Sequence, residues 1–334
     1  MLKKIALSAI AALVVSPALA EEVNVYSYRQ PELIKPLTDA FTEKTGIKVN
    51  SVFLKKGLIE RLEAEGKRSP ADLVFTVDIS RLAGVVNKGL TQPVDSAVLK
   101  ANIPAEMRDE GNQWFGLTAR ARVVYASRDR VKDGEVTTYE DLASAKWKDR
   151  ICIRSGLNAY NLALTSAVIA HHGDEGAKNW LSGIKGNLAR KPQGNDRAQV
   201  KAIWAGECDI AIGNTYYMAL MLKKDEQKAW ADSVRIVFPS FENGGTHMNI
   251  SGMAMTKAAP NKDNALKLME FLASAEGQKI YAEINAEYPV LAGVKASDLV
   301  ENWGDFKRDS MGLTTIAANR SKAVQLVEEI GFDN

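Results

Sequence analysis

The stretch GECDIAIGNTYYMAL, residues 206–220, decides how the rest of the chain is read. Residues 209–213 form a short apolar run that reads as a buried strand, Asn214-Thr215 reads as a turn, and Tyr216 opens a helix. In α/β proteins ligands sit beyond the carboxyl ends of strands, at such strand-to-helix turns. Tyr216 and Tyr217 therefore stand as adjacent phenols at a ligand-binding position. Adjacent aromatics also pack the first turns of helices, so the pair by itself leaves both readings open.

A second turn has the same form. ICIR (151–154) reads as a strand, residues 155–158 as a turn, and AYNLALTSAVIAHHG (159–173) as a helix with Tyr160 in its first turn. Two such turns on one lobe point three phenols into one cleft. Deprotonated phenols are hard, anionic oxygen donors, suited to a small, highly charged cation such as ferric iron. The Ser155 hydroxyl and the free N–H groups of the helix start form a candidate anion pocket, with Asn214 at the equivalent turn. Cys152 and Cys208, the only cysteines, lie in the two strands that lead to these turns. An even pair in an oxidising compartment suggests a disulfide; two free buried thiols are the alternative.

Outward from this core, strand and helix patterns alternate. NVYSYRQ, ADLVFTVD (71–78) and IKVNSVFL read as strands. A helix with Leu33, Leu37 and Phe41 on one face ends at Gly46. GLTARARVVYASR (116–128) is a long extended segment suited to crossing between lobes, and HMNISGMAMT (247–256) a second crossing. TYEDLAS reads as a helix, residues 261–285 as two helices broken near Ser274, and the tail as mostly helical. The pattern predicts an α/β chain of two lobes, each a doubly wound mixed sheet flanked by helices. The expected lobes are residues 21–122 with about 245–295, and residues 123–244, with a helical tail at 296–334 packing on the second. A cleft between lobes is a usual site for small ligands.

The first twenty residues read as a targeting segment: Lys3-Lys4, an apolar stretch from Ile5 to Val15, and Ala18-Leu19-Ala20 as a cleavage site after Ala20. The apolar stretch is shorter than the roughly 18–20 residues a membrane span needs. A secreted, periplasmic protein with no membrane insertion after cleavage is expected. The remaining chain is formally neutral with its signs interspersed, which gives no footprint for nucleic acid or an anionic membrane surface. His171, His172 and His247 are the only histidines, and no nucleophile elbow or phosphate-cradling loop accompanies them. An enzyme is not expected.

Two further groups face the expected cleft. Tyr28-Arg29-Gln30-Pro31 follows the first strand, and Arg120 and Arg122 share one face of the crossing strand. Arginine at a cleft edge holds carbonate or carboxylate bidentately; one of the pair enters the cleft while the other frames it. Asp78, after a buried strand, reads as a helix cap that could also face the cleft.

The motifs VYSYRQ, AFTEKTGIKVN, PADLVFTVD, GLTARARVVYASR, ICIRSGLNAYN and above all GECDIAIGNTYY resemble those of bacterial periplasmic ferric-iron-binding proteins, the solute receptors of iron ABC importers, across essentially the whole mature sequence. The resemblance implies the type II, transferrin-lobe-like solute-binding fold. It implies Fe(III) ligation by Tyr160, Tyr216 and Tyr217, a synergistic anion such as carbonate, and an inner-membrane permease as partner. A monomer suffices for such a receptor. Many members follow the Arg of the first strand with His-Tyr; Gln30-Pro31 stands here instead. That departure leaves the remaining coordination to an anion or water, with Gln30 and Arg120 as first candidates to hold the anion, and Ser155 and Asn214 as second. A receptor for an organic cation, a polyamine or thiamine, on the same fold is the alternative.

Overall fold

Alternating strands and helices open the chain, which the computed structural model describes over residues 21–334. The expected targeting segment, residues 1–20, lies outside the described residues. In order come β1 (Glu22–Ser27), α1 (Pro31–Thr45), β2 (Lys48–Phe53), α2 (Leu58–Glu65), β3 (Leu73–Thr76) and α3 (Ile79–Asn87). Gly46 ends α1 in the left-handed conformation, its N–H returning to the Thr42 carbonyl. Ile34, Leu37 and Phe41 are the buried face of α1, whereas Leu33 is only half-buried. Asp78 caps α3, its carboxylate accepting from the N–H groups of Ser80 and Arg81.

After α4 (Ala97–Asn102) comes β4 (Phe115–Ser127), buried at all 13 positions. β5 (Ile151–Cys152), α5 (Ala159–Gly186), α6 (Asp196–Trp204), β6 (Ile210–Asn214), α7 (Tyr216–Leu222), α8 (Asp225–Asp232) and β7 (Val234–Val237) follow. Then come β8 (Met248–Met255), α9 (Lys262–Ala273), α10 (Ala275–Asn285), β9 (Tyr288–Pro289), α11 (Asp298–Glu301), α12 (Leu313–Ala318) and α13 (Arg320–Glu329). Gly173, at φ 70°, interrupts α5 where the first of its two apolar stretches ends. Ser274 caps α10 and separates it from α9. TYEDLAS makes only a single 3₁₀ turn at Glu140–Ala143, too short to be the helix its composition predicts.

β4 joins two lobes. Residues 115–121 pair with β8 and, at Thr118 and Ala119, with β9; residues 122–127 pair with β6 and β7. On the first side the order is β2-β1-β3-β8-β4, with β1, β2 and β3 parallel. On the second, β6 lies between β4 and its parallel neighbour β5. α13 packs along α5, and α12 touches both α5 and α3, so the tail reaches both sides of the molecule. A Cys152–Cys208 disulfide ties the chain at the base of β5 and β6 across 56 residues of sequence. Closing a loop of that length constrains the unfolded chain by about 4 kcal/mol in the chain-entropy account.

All three histidines serve packing where the chain recrosses into β8. His171 pairs with Asp309 at 2.8 Å and stacks on Phe241, and His172 pairs with Glu140. The His247 carbonyl accepts from the Arg122 N–H, and its ring is 1% exposed with neither nitrogen hydrogen-bonded. Burial lowers its pKa to about 4 from the usual 6.5, against the pull of Asp309 and with the repulsion of Arg122 and His171. The unfolded chain therefore binds the extra proton between pH 6.5 and 4. Stability from this group is complete above pH 6.5 and falls by about 3 kcal/mol as pH drops through 4. Urea unfolding of the wild type and of His247→Phe across that window is expected to show a shallower acid decline in the variant; parallel curves would contradict the assignment.

Candidate functional site

Parallel pairing brings the tyrosines together. β5 and β6 are hydrogen-bonded neighbours running the same way, with Cys152 opposite Ala211, so the turns leaving them emerge side by side. α5 then starts with Tyr160 at its second position and α7 with Tyr216 and Tyr217. The Tyr216 and Tyr160 hydroxyl oxygens lie 3.3 Å apart. Adjacent helical side chains diverge by about 100°, yet the Tyr216 and Tyr217 ring centroids are 4.3 Å apart. Gly213 leaves room beneath this turn for Tyr125: a Cβ there would fall 2.2 Å from the Tyr125 ring, whose hydroxyl donates to the Asn214 carbonyl.

The three phenols line one cavity of about 400 Å³. Its opposite wall comes from the carboxyl ends of the parallel strands of the first lobe. Tyr28, Arg29 and Gln30 follow β1, Phe53 and Lys55 end β2, and Val77 and Arg81 follow β3. Three parallel strands of the first lobe and two of the second, the two sets running in opposite directions, thus point their carboxyl ends at one space, the position that α/β sheets use for ligands. Arg120 reaches it from β4 and Arg197 from the first turn of α6.

Positive charge surrounds the phenols. The Arg120 Cζ lies 6.0 Å from the Tyr216 ring centroid, Arg122 and Arg154 lie 5.9 and 5.7 Å from Tyr160, and Arg197 lies 6.0 Å from Tyr217. Beneath them two buried carboxylates each hold two guanidinium groups. Glu287 accepts from Arg29 at 2.9 Å, from Arg120 at 3.2 Å and from the Thr118 hydroxyl. Asp196 accepts from Arg122 at 2.9 Å and Arg154 at 3.2 Å. Burial pushes the Glu287 carboxyl up, but Arg120 and Arg29 outweigh it and hold it below the usual range. Burial, with Tyr160 and Tyr217 adding to it, pushes the Tyr216 phenol well above the ordinary range; burial, Tyr160 and Asp196 raise Tyr217 likewise. Both hold their protons at neutral pH. Among the described residues no group of three His, Cys, Asp or Glu is placed to hold a metal ion.

Residues 26–279 match the family model of bacterial extracellular solute-binding proteins. The chain is 42% identical to iron uptake protein A1 of Synechocystis over 95% of its own length and 89% of that protein's. Its fold matches the open form of ferric iron-binding protein A of Mannheimia haemolytica with a TM-score of 0.90, at 53% identity over 94% of this chain and all of that one. A Trichodesmium protein solved with iron and citrate ligands matches with a TM-score of 0.89, at 43% identity over 93% and 99% of the two chains. The chain belongs to the periplasmic ferric-iron-binding family. It has the type II solute-binding fold of that family, and it is a transport receptor, not an enzyme. Among the described residues, no helix of the receptor is long and apolar enough to cross a membrane.

Gln30 and Arg120 both line the receptor's cavity. Gln30 is exposed and its side chain makes no cap to α1, whereas the Arg120 terminal nitrogens are engaged by the Val77 carbonyl, Ser251 and Glu287. Arg122 frames the site from below: Asn214 and Asn161 accept from its guanidinium. Asn214 is correspondingly buried in that network and not brought to the cavity. Ser155 is not brought there either, because its hydroxyl donates to Asp333 at 2.5 Å and the Gly156 N–H donates to the same carboxylate at 2.7 Å. The anion pocket read from the sequence is filled by the chain's own acid. Lys55, Arg81, Arg154 and Arg197 were not singled out as site residues by sequence reasoning. Asn195, which caps α6 and so sets Arg197 in its first turn, is the one local signal that could have found the last of them.

Asp196 is fully buried and is shared by two guanidinium groups. Removing one partner of a buried ion pair strands the other charge, at a cost of about 3–5 kcal/mol. Asp196→Ala is expected to lose about that much in urea unfolding; a loss under about 1 kcal/mol would show that solvent already reaches the pair.

Proposed function

We propose that this receptor captures ferric iron in the cleft through the phenolates of Tyr160, Tyr216 and Tyr217, with an anion such as carbonate completing the coordination, and delivers it to an ABC permease of the inner membrane. The observation that carries the reading is the convergence of three phenols, two hydroxyls 3.3 Å apart, in a cavity ringed by guanidinium groups. Three phenolates neutralise Fe(III), and the surrounding cations then call for an added anion. Gln30, Arg120, Arg81, Lys55 and Arg197 are the residues that would hold it. Relatives named for iron uptake and ferric-iron binding support the cargo, and a relative solved with iron and citrate supports a carboxylate-bearing co-ligand.

The lobes that close would be residues 21–122 with about 245–295, and residues 123–244; the tail, residues 296–334, expected on the second alone, packs on it through α13 and also touches the first through α12, and the change of partners within β4 at Ala121 and Arg122 supports the first boundary. Secretion through cleavage after Ala20 completes the route to the periplasm. An organic cation would meet Arg81, Arg197 and Lys55 on the cavity wall and no free carboxylate, because Asp196 and Glu287 are engaged by arginines. The polyamine and thiamine alternative is accordingly disfavoured.

Titration of the apo-protein with ferric citrate is expected to raise a broad visible band that saturates at one iron per chain. Losing a supporting group outside the ligand set costs a metal site about 10–100-fold, so Tyr217→Phe is expected to weaken iron by more than about 100-fold while the thermal midpoint holds. Unchanged binding in that variant would remove the twin-tyrosine reading, and a response to spermidine or thiamine but not iron would replace it.

The raised phenols add a pH dependence. Tyr216 and Tyr217 hold their protons at neutral pH, so iron must displace at least those two, and apparent affinity falls about 100-fold per unit of pH as the solution is acidified. Affinity that stayed constant from pH 8 to 5, once the chelator's own titration is subtracted, would contradict phenolate ligation.

A further inference from the structure

The turn that carries Tyr160 is clamped from outside by the segment after α13. The Asp333 carboxylate takes both the Ser155 hydroxyl and the Gly156 N–H. Phe332 is 1% exposed and lies against Gly156, where a Cβ would come within 2.8 Å of both Phe332 and Val327. Lys185, near the end of α5, donates to the carbonyls of Ile330 at 2.9 Å and Gly331 at 2.6 Å. Residues 330–333 are therefore fastened to α5 near one end and to the turn before it at the other. Within the turn, the Asn161 amide donates to the Arg154 and Ser155 carbonyls, and Asn158 caps the Tyr160 N–H.

The Tyr160 phenol extends from the second position of α5 to within 3.3 Å of the Tyr216 hydroxyl. A small rotation of that first turn is magnified along the side chain at its oxygen. We infer that Asp333 is a positioning residue for the metal site: by accepting from the Ser155 hydroxyl and the Gly156 N–H it fixes the turn before α5, and through the turn the Tyr160 oxygen. The inference rests on Tyr160 being a ligand, as proposed above. Asp333 acts without touching the cavity.

A double-mutant cycle tests it. Iron affinity by citrate competition, the position of the visible band and the thermal midpoint are measured for the wild type, Asp333→Ala, Tyr160→Phe and the double variant. Asp333→Ala is expected to weaken iron about tenfold and shift the band, as supporting groups of metal ligands do, and to add nothing once Tyr160 is already Phe. Asp333→Glu is expected to recover part of the loss. Full additivity in the double variant would make Asp333 a structural residue and overturn the inference. So would wild-type affinity and band in Asp333→Ala beside a weakened Tyr160→Phe, and in that case the ligand reading survives. Wild-type affinity in Tyr160→Phe removes that reading and the inference together. If Asp333→Ala fails to fold, Asp333→Asn keeps the shape and one acceptor and carries the same comparison.

Discussion

Two buried carboxylates each neutralise only one of the two guanidinium groups they hold, and the site is organised around that imbalance. Glu287 is shared by Arg29 and Arg120, and Asp196 by Arg122 and Arg154. The two clusters stem from one strand, because Arg120 and Arg122 alternate onto the same face of β4 on either side of its change of partners. An unneutralised buried charge is costly to any fold, and here each surplus lies beside a phenol: Arg120 beside Tyr216, Arg122 and Arg154 beside Tyr160. A nearby cation favours phenolate over phenol, while burial favours phenol over phenolate. For Tyr216 burial wins. On the proposed reading the arginines hold charge ready for a phenolate that forms when the metal displaces the proton.

Much of this framework was legible in the sequence because it rests on local periodicity. The strand-helix alternation, the long β4, the helix end at Gly173 and the break near Ser274 each occupy a few neighbouring residues, and the structure has each of them. The convergence of Tyr160 with Tyr216 and Tyr217 follows from two further facts, that each opens a helix after a strand and that the strands are parallel neighbours. The first is written in the sequence; the second was a consequence of the two-lobed topology.

What escaped the sequence is what depends on distant partners. Nothing local to Ser155 announces Asp333, 178 residues away, so its turn read as an open anion pocket. Asn214 likewise read as a cleft residue until Arg122, its partner across the β4–β6 pairing, took its side chain. Asp196 and Glu287 sit among many acids in the sequence, and only the fold places each between two arginines. TYEDLAS misled in the other direction: its composition suits a helix, but Tyr139 is anchored by its hydroxyl to the Arg122 carbonyl and the His247 N–H, and the chain makes only one turn there.

The departure at Gln30-Pro31 now acquires a physical meaning. Pro31 begins α1, where its missing N–H costs nothing, and Gln30 is left exposed with its amide free to face the cavity. Tyr28 lies beneath the Arg81 guanidinium, 4.4 Å from ring centroid to Cζ, so the aromatic on this wall is covered by a cation. The first lobe consequently presents Lys55, Arg81 and an amide, while the second presents the three closely spaced phenols. On the proposed reading the lobes divide the work: one grips the metal and the other grips the anion. Closure then draws cations onto an anion already seated on the iron, and the strength of capture depends on the anion's charge as well as on the phenols. A lobe that contributes no strong metal ligand can also let go without breaking a metal bond, which places the step that opens the cleft on the side of the weaker, solvent-exchangeable contacts.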